Sequence, residues 1–148
     1  MNKPGEKENA KEKSNDLAPR IIYASRTHSQ LTQVVAEAEK LRRDCNYNID
    51  STVLGGRSAL CSNPDVSQER DQFALQMACT TARKQKACGW KTRFDDLPVG
   101  KYPYGVIDIE ELVNYSQRGH VCAYYLSRAK AKMAKVIMMP YKNGFKIN

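Results

Sequence analysis

Ile21-Ile22-Tyr23-Ala24 is a continuous apolar run only four residues long, closed off by Arg20 and Ser25. A run so short, with no polar alternation, suits a strand buried on both faces of a parallel sheet. The polar turn Ser25-Arg26-Thr27-His28 follows it, and Leu31, Val34, Val35, Ala38 and Leu41 then fall on one helical stripe. Thr27 and Gln30 are spaced as a capping box at the start of that helix. Thr52-Val53-Leu54, closed by Gly55 and Gly56, reads as a second strand. A strand, helix and strand in this order make a parallel crossover unit, so the fold class expected is α/β.

From about Ser58 to His120 that rhythm stops. The pattern predicts a helix over 64–86, a Pro- and Gly-containing loop through Pro98, Gly100, Pro103 and Gly105, and a short helix over 107–114. A helical stripe returns over 124–134, and Val136 to Met139 reads as a strand. The middle is therefore read as a mainly helical insertion, residues 58–122, into a partial parallel sheet formed from 20–57 and 123–141. Residues 1–19 are charged and nearly free of large apolar side chains, the composition of a disordered lead or linker. Residues 142–148 read as a divergent tail.

Composition narrows the function classes. With 148 residues, 41% hydrophobic and a mean hydropathy of −0.64, the chain has the length of one domain and a modest core. No stretch approaches the roughly 20 apolar residues of a membrane span, so no membrane partner is expected. No secretory signal pattern opens the sequence, and a reducing compartment is the expectation. The net charge is +8, and residues 123–148 carry six basic side chains and no acidic one. Arg83, Lys84, Lys86, Lys91 and Arg93 lie in an acid-free run, with Trp90 among them. Basic residues interleaved with an aromatic suit a single-stranded nucleic acid; a solvated basic face is the plainer alternative.

Five cysteines in such a chain are thiolate ligands or buried thiols rather than a disulfide framework. Cys61, Cys79, Cys88 and Cys122 fall in or at the edge of the insertion, separated by 17, 8 and 33 residues. These intervals match neither the paired C-x2-C of zinc ribbons nor a ferredoxin run. A small polar insertion gains from a metal centre, because metal-binding energy becomes folding energy. Small buried hydrophobes remain the other reading.

The string Ile21-Ile22-Tyr23-Ala24-Ser25-Arg26-Thr27-His28-Ser29-Gln30-Leu31 resembles the Ia motif of the iron–sulfur DNA helicases related to xeroderma pigmentosum group D helicase. The resemblance continues through Leu54-Gly55-Gly56-Arg57, Leu60-Cys61-Ser62-Asn63-Pro64, Asp108 to Val113 and Val121 to Arg128, and it ends at Met139-Pro140-Tyr141. It implies a RecA-like motor domain in which Cys61, Cys79, Cys88 and Cys122 ligate a [4Fe–4S] cluster and Arg57 supports it. Cys45 has no counterpart in the pattern. The resemblance further implies contact with single-stranded or duplex-junction DNA, with Ser25, Arg26, Thr27 and His28 in the Ia turn and Arg83, Lys84, Lys86, Trp90 and Lys91 in the cluster region. It implies a nuclear protein of DNA repair, recombination or telomere maintenance.

This chain departs from the family at Ala123, where a proline usually follows the fourth cysteine, at Gly89-Trp90-Lys91 after the third, and at Ser58-Ala59. No G-x-x-x-x-G-K-[ST] string and no Asp-Glu-Ala-His string occurs. ATP and Mg²⁺ therefore belong to a longer parent and to the remainder of its motor, and this chain reads as a fragment that does not hydrolyse ATP alone. The alternative is a non-catalytic module, either zinc-structural or nucleic-acid-binding.

Overall fold

In a computed structural model of the chain, residues 19–141 are described. Most of the expected lead and all of the expected divergent tail lie outside them. The first apolar run forms strand β1 (Ile21–Ser25), and the stripe behind it forms helix α1 (His28–Cys45). Strand β2 (Ser51–Val53) is shorter and fully buried. Strand β3 (Val136–Pro140) closes the described chain. All pairings are parallel, as expected, in the order β1-β3-β2. The last strand thus lies between the first two, with Ile22 opposite Ile137 and Thr52 opposite the same residue.

Two cores hold the chain together. Leu31 and Val35 of α1 pack with Val53 and Met138 on one side of the sheet. Leu60, Ile107, Leu112, Val121, Ala123 and Leu126 make the second, which joins the middle of the chain to the segment after Cys122. Gly55 lies where the two approach. A Cβ there would stand 3.0 Å from Leu60 Cδ1 and 3.2 Å from Ile109 Cδ1, so a larger residue would make both side chains give way.

The expectation that β1 is buried on both faces is not met: Ile21 is 62% and Ile22 51% exposed. Among the described residues the strand is an edge that pairs with β3 alone, and the buried face of α1 reaches Val53 and Met138 instead. Burial falls on the central strand, where Ile137, Met138 and Met139 are all buried.

The middle is helical, as expected, but divided differently. The helix predicted over 64–86 is two, α3 (Pro64–Ser67) and α4 (Gln72–Lys84), after a further short turn, α2 (Arg57–Leu60). Each has its own cap: Asn63 accepts from the Asp65 amide ahead of Pro64, and Asp71 accepts from the Ala74 amide at 2.8 Å. A capped start forbids a continuous helix through that point. The expected loop contains a helix, α5 (Gly89–Asp95), and a 3₁₀ turn at Val99–Lys101. Helix α6 (Ile109–Gly119) starts later than predicted because Asp108 and Glu111 form a capping box, and it ends at His120 in the left-handed region. Helix α7 (Ala123–Ala131) runs back along β2.

Candidate metal centre

Each of the four cysteines sits at or within a short element of the middle. Cys61 follows the last turn of α2, Cys79 is inside α4, and Cys88 and Cys122 stand at the N-cap positions of α5 and α7. Backbone bonds draw these starts together. The Cys122 amide donates to the Trp90 carbonyl at 2.9 Å, which ties the entry of α7 to the first turn of α5. Ser116, fully buried on α6, bonds both the Ser62 hydroxyl and the Val121 carbonyl and so links the neighbours of Cys61 and Cys122.

The sulfurs share one electrostatic environment. Burial pushes the Cys61 thiol up, a hydrogen bond with the Asn63 backbone opposes it, and negative charge on Cys79 and Cys88 adds to the rise. Burial pushes Cys122 up to about 12, opposed by a hydrogen bond with the Tyr124 backbone and reinforced by Cys61, Cys88 and Cys79. Cys61 and Cys122 thus ionise only against burial, a cost that a multivalent cation would offset, and a donor set of four cysteine sulfurs suits a thiophilic metal centre. Among the described residues, no three His, Cys, Asp or Glu side chains are grouped tightly enough to hold a single metal ion.

Polar groups already address two of the sulfurs. Arg57 Nε donates to Cys79 Sγ at 3.4 Å, and Asn63 Nδ2 donates to Cys88 Sγ at 3.6 Å. Arg57 also donates to the Tyr124 hydroxyl at 3.1 Å and lies 4.1 Å from that ring's centroid. The guanidinium of Arg128 stacks on the same ring at 3.5 Å and donates to the Gly55 carbonyl. Burial pulls Arg128 below the ordinary guanidinium range; Tyr124 opposes this, and the neighbouring Arg57 charge adds to the fall. Cys45, the last residue of α1, is exposed.

The Ia turn leaves the carboxyl end of β1, and the chain that carries Arg57 and Cys61 leaves the carboxyl end of β2. Because the strands are parallel, both lie at the carboxyl end of the sheet, on either side of β3. Ser25 is buried and its hydroxyl donates to the Thr27 carbonyl, so it shapes the turn. Thr27 caps α1, and Arg26 is exposed. His28 Nδ1 is buried without a hydrogen-bond partner among the described residues.

In the basic run, Lys84 and Lys86 are exposed at the end of α4. Arg83 lies 5.4 Å from the Tyr125 ring, and Lys91 pairs with Asp95 while lying 4.8 Å from that same ring. Trp90 is half-buried, 5.1 Å from the His120 ring.

The family model described as DEAD_2 matches residues 23–145. The chain belongs to the DEAD_2 family. It is 39% identical over 126 residues to a regulator of telomere elongation helicase 1 homolog of Drosophila yakuba, covering 83% of this chain and 12% of that protein. It is 36% identical over 124 residues to regulator of telomere elongation helicase 1 of Rattus norvegicus, covering 83% of this chain and 9% of that one. The DEAD_2 chain thus spans about a tenth of the length of these curated relatives. A solved structure described as truncated XPD shares the fold, with a TM-score of 0.57, 19% identity, and coverage of 88% of this chain and 35% of that one.

Two participants escaped the sequence reading of this DEAD_2 chain. Asn63 entered the sequence reading only within the string Leu60 to Pro64, with no role assigned, and its reach to a sulfur 25 residues away has no local signal. Ser116 lies on the inner face of an amphipathic helix, where a small polar residue gives no hint of the bonds it makes across α6.

Proposed function

We propose that this chain is the cluster-bearing part of the first motor domain of an ATP-dependent 5′–3′ DNA helicase. In this reading Cys61, Cys79, Cys88 and Cys122 hold a [4Fe–4S] cluster, residues 20–57 and 123–141 belong to the RecA-like lobe, and 58–122 is the insertion between them. The observation that carries it is the set of hydrogen bonds that gathers these positions: Arg57 and Asn63 donate to the sulfurs of Cys79 and Cys88, the Cys122 amide bonds the Trp90 carbonyl close to Cys88, and Ser116 links the neighbours of Cys61 and Cys122. When bound, the cluster supplies the positive charge that lets four thiolates coexist and so contributes folding energy to the insertion.

The chain's own residues do the rest. Arg57 offsets thiolate charge at Cys79 and, through Tyr124, ties the start of α2 to α7. The Ia turn presents Arg26, Thr27 and backbone groups at the same carboxyl end of the sheet, where a single strand can be held by its phosphates without its sequence being read. Lys84 and Lys86, exposed at the end of α4, offer further positive charge to phosphates. ATP and Mg²⁺ are assigned to the remainder of the motor. The process proposed is DNA repair, recombination or telomere maintenance in the nucleus, and the names its relatives carry support the telomere part of it.

Anaerobic reconstitution of the full chain with iron and sulfide tests this reading. A brown protein with charge-transfer absorption and salt-sensitive binding to single-stranded DNA is expected. A colourless protein that takes up zinc and no sulfide contradicts it and favours the zinc-structural alternative.

A further inference from the structure

Asn63 is the residue that most closely joins the fold of the middle to its sulfurs. It is 7% exposed, and three different groups of the one residue are engaged. Its side-chain oxygen accepts from the Asp65 amide at 3.0 Å and caps α3, which starts with Pro64. Its side-chain nitrogen donates to Cys88 Sγ at 3.6 Å, a contact buried from water. Its main-chain carbonyl accepts from the Cys61 thiol at 3.9 Å. The cap fixes the amide's orientation: with Oδ1 turned to the Asp65 amide, Nδ2 must face the sulfur. Ser62, the residue before it, is bound to Ser116, which holds the segment to α6.

A neutral N–H aimed at a sulfur stabilises negative charge there without adding a charge of its own. In an iron–sulfur centre, hydrogen bonds to ligand sulfurs favour the more electron-rich state and raise the reduction potential. In a buried contact of this kind the effect is not diluted by solvent.

We propose that Asn63 is a positioning residue that sets the reduction potential of the cluster through its N–H to the Cys88 sulfur, while the same amide's oxygen fixes the helix start that aims it. This rests on the cluster reading above. The change concerned is the entry of one electron from an external electrode or mediator, with no bond made or broken.

The test is a potentiometric titration of the reconstituted full chain, followed by electron paramagnetic resonance of the reduced state. Asn63→Ser keeps a capping oxygen but is too short to reach Cys88, and its midpoint potential falls below that of the native chain. Asn63→Asp keeps the cap, loses the donor and adds negative charge, and its potential falls further. Pro64→Ala changes the start of α3 without touching the sulfur and leaves the potential where it was.

A measurement on the native sequence needs no variant. With ¹⁵N placed in the asparagine side-chain amides, pulsed spectra of the reduced protein show a nitrogen coupling to the cluster. Unchanged potentials in both Asn63 variants, or absence of that coupling in a protein that does hold iron and sulfide, overturns the role of Asn63 alone. A native chain that takes up no iron and sulfide overturns the cluster reading and this inference with it.

Discussion

Lys130 is 1% exposed, and its ammonium lies 2.7 Å from Asp50 Oδ1 and 2.6 Å from the Pro103 carbonyl. Asp50 Oδ1 also accepts from the Gly105 amide at 3.0 Å, and the Asp50 carbonyl accepts from the amides of Lys135 and Val136. One ion pair thus fastens α7, the entry to β2, the loop before α6 and the approach to β3. Asp50→Ala leaves a buried ammonium with a single carbonyl acceptor and strips the Gly105 amide of its partner. Breaking a buried pair from one side costs about 3–5 kcal/mol, and the lost amide bond lies within that range rather than adding fully to it. Because the Asp50 side chain is 13% exposed, some water reaches the site and the lower half of the range is expected. Urea unfolding of the full chain, with its slope compared between variants, measures the loss. Lys130→Met removes the charge and leaves an apolar stem among buried neighbours, so Asp50→Ala combined with Lys130→Met is less destabilised than Asp50→Ala alone. A loss below about 1 kcal/mol for Asp50→Ala, or strict additivity in the double variant, refutes the desolvated pair.

Ser116→Ala removes the bridge between Ser62 and the Val121 carbonyl and is expected to cost about 1–3 kcal/mol in unfolding, with reduced metal retention, since the segments beside Cys61 and Cys122 then separate. Leu112, fully buried in the second core, should cost about 2–5 kcal/mol as Leu112→Ala. The metal-free chain should lose stability as pH rises. Thiols whose folded-state affinity for protons is raised stabilise the fold below about pH 9 and lose that contribution toward about 12, the value for Cys122, which unfolding followed across that window measures. For single-stranded DNA, replacing Lys84 and Lys86 by glutamine should reduce the slope of log affinity against log salt by about 1.4, at about 0.7 per phosphate contact, whereas Lys91→Gln, already paired with Asp95, should change it less.

Local chemistry was readable where residues act on their immediate neighbours. Thr27 accepts from the Gln30 amide as the capping spacing requires, although the Gln30 side chain reaches back to the Arg26 amide rather than to Thr27. The parallel sheet was readable from short apolar runs alternating with helical stripes. The order of its strands was not, because nothing in Val136 to Met139 says that this segment enters between two earlier ones. The same limit explains β1: its apolar content suggested a central strand, while its edge position depends on where β3 inserts.

In the middle, α5 was hidden because the stretch after the predicted helix reads as a loop through Pro98, Gly100, Pro103 and Gly105. Here Cys88 stands at the cap position, and the helix ends at Asp95, before Pro98. The four cysteines were legible as a set through the resemblance, whereas their spacing left the question open. Asn63 and Ser116 act across 25 and 54 residues, beyond any local pattern.

The account stands or falls on whether Cys61, Cys79, Cys88 and Cys122 act as one ligand set. The most direct measurement is iron and acid-labile sulfide per chain after anaerobic reconstitution, made on the native sequence and on five single Cys→Ser variants. About four irons and a matching amount of sulfide are expected for the native chain and for Cys45→Ser, with marked loss in each of the other four. Full iron content in any of those four, or equal loss in Cys45→Ser, contradicts it.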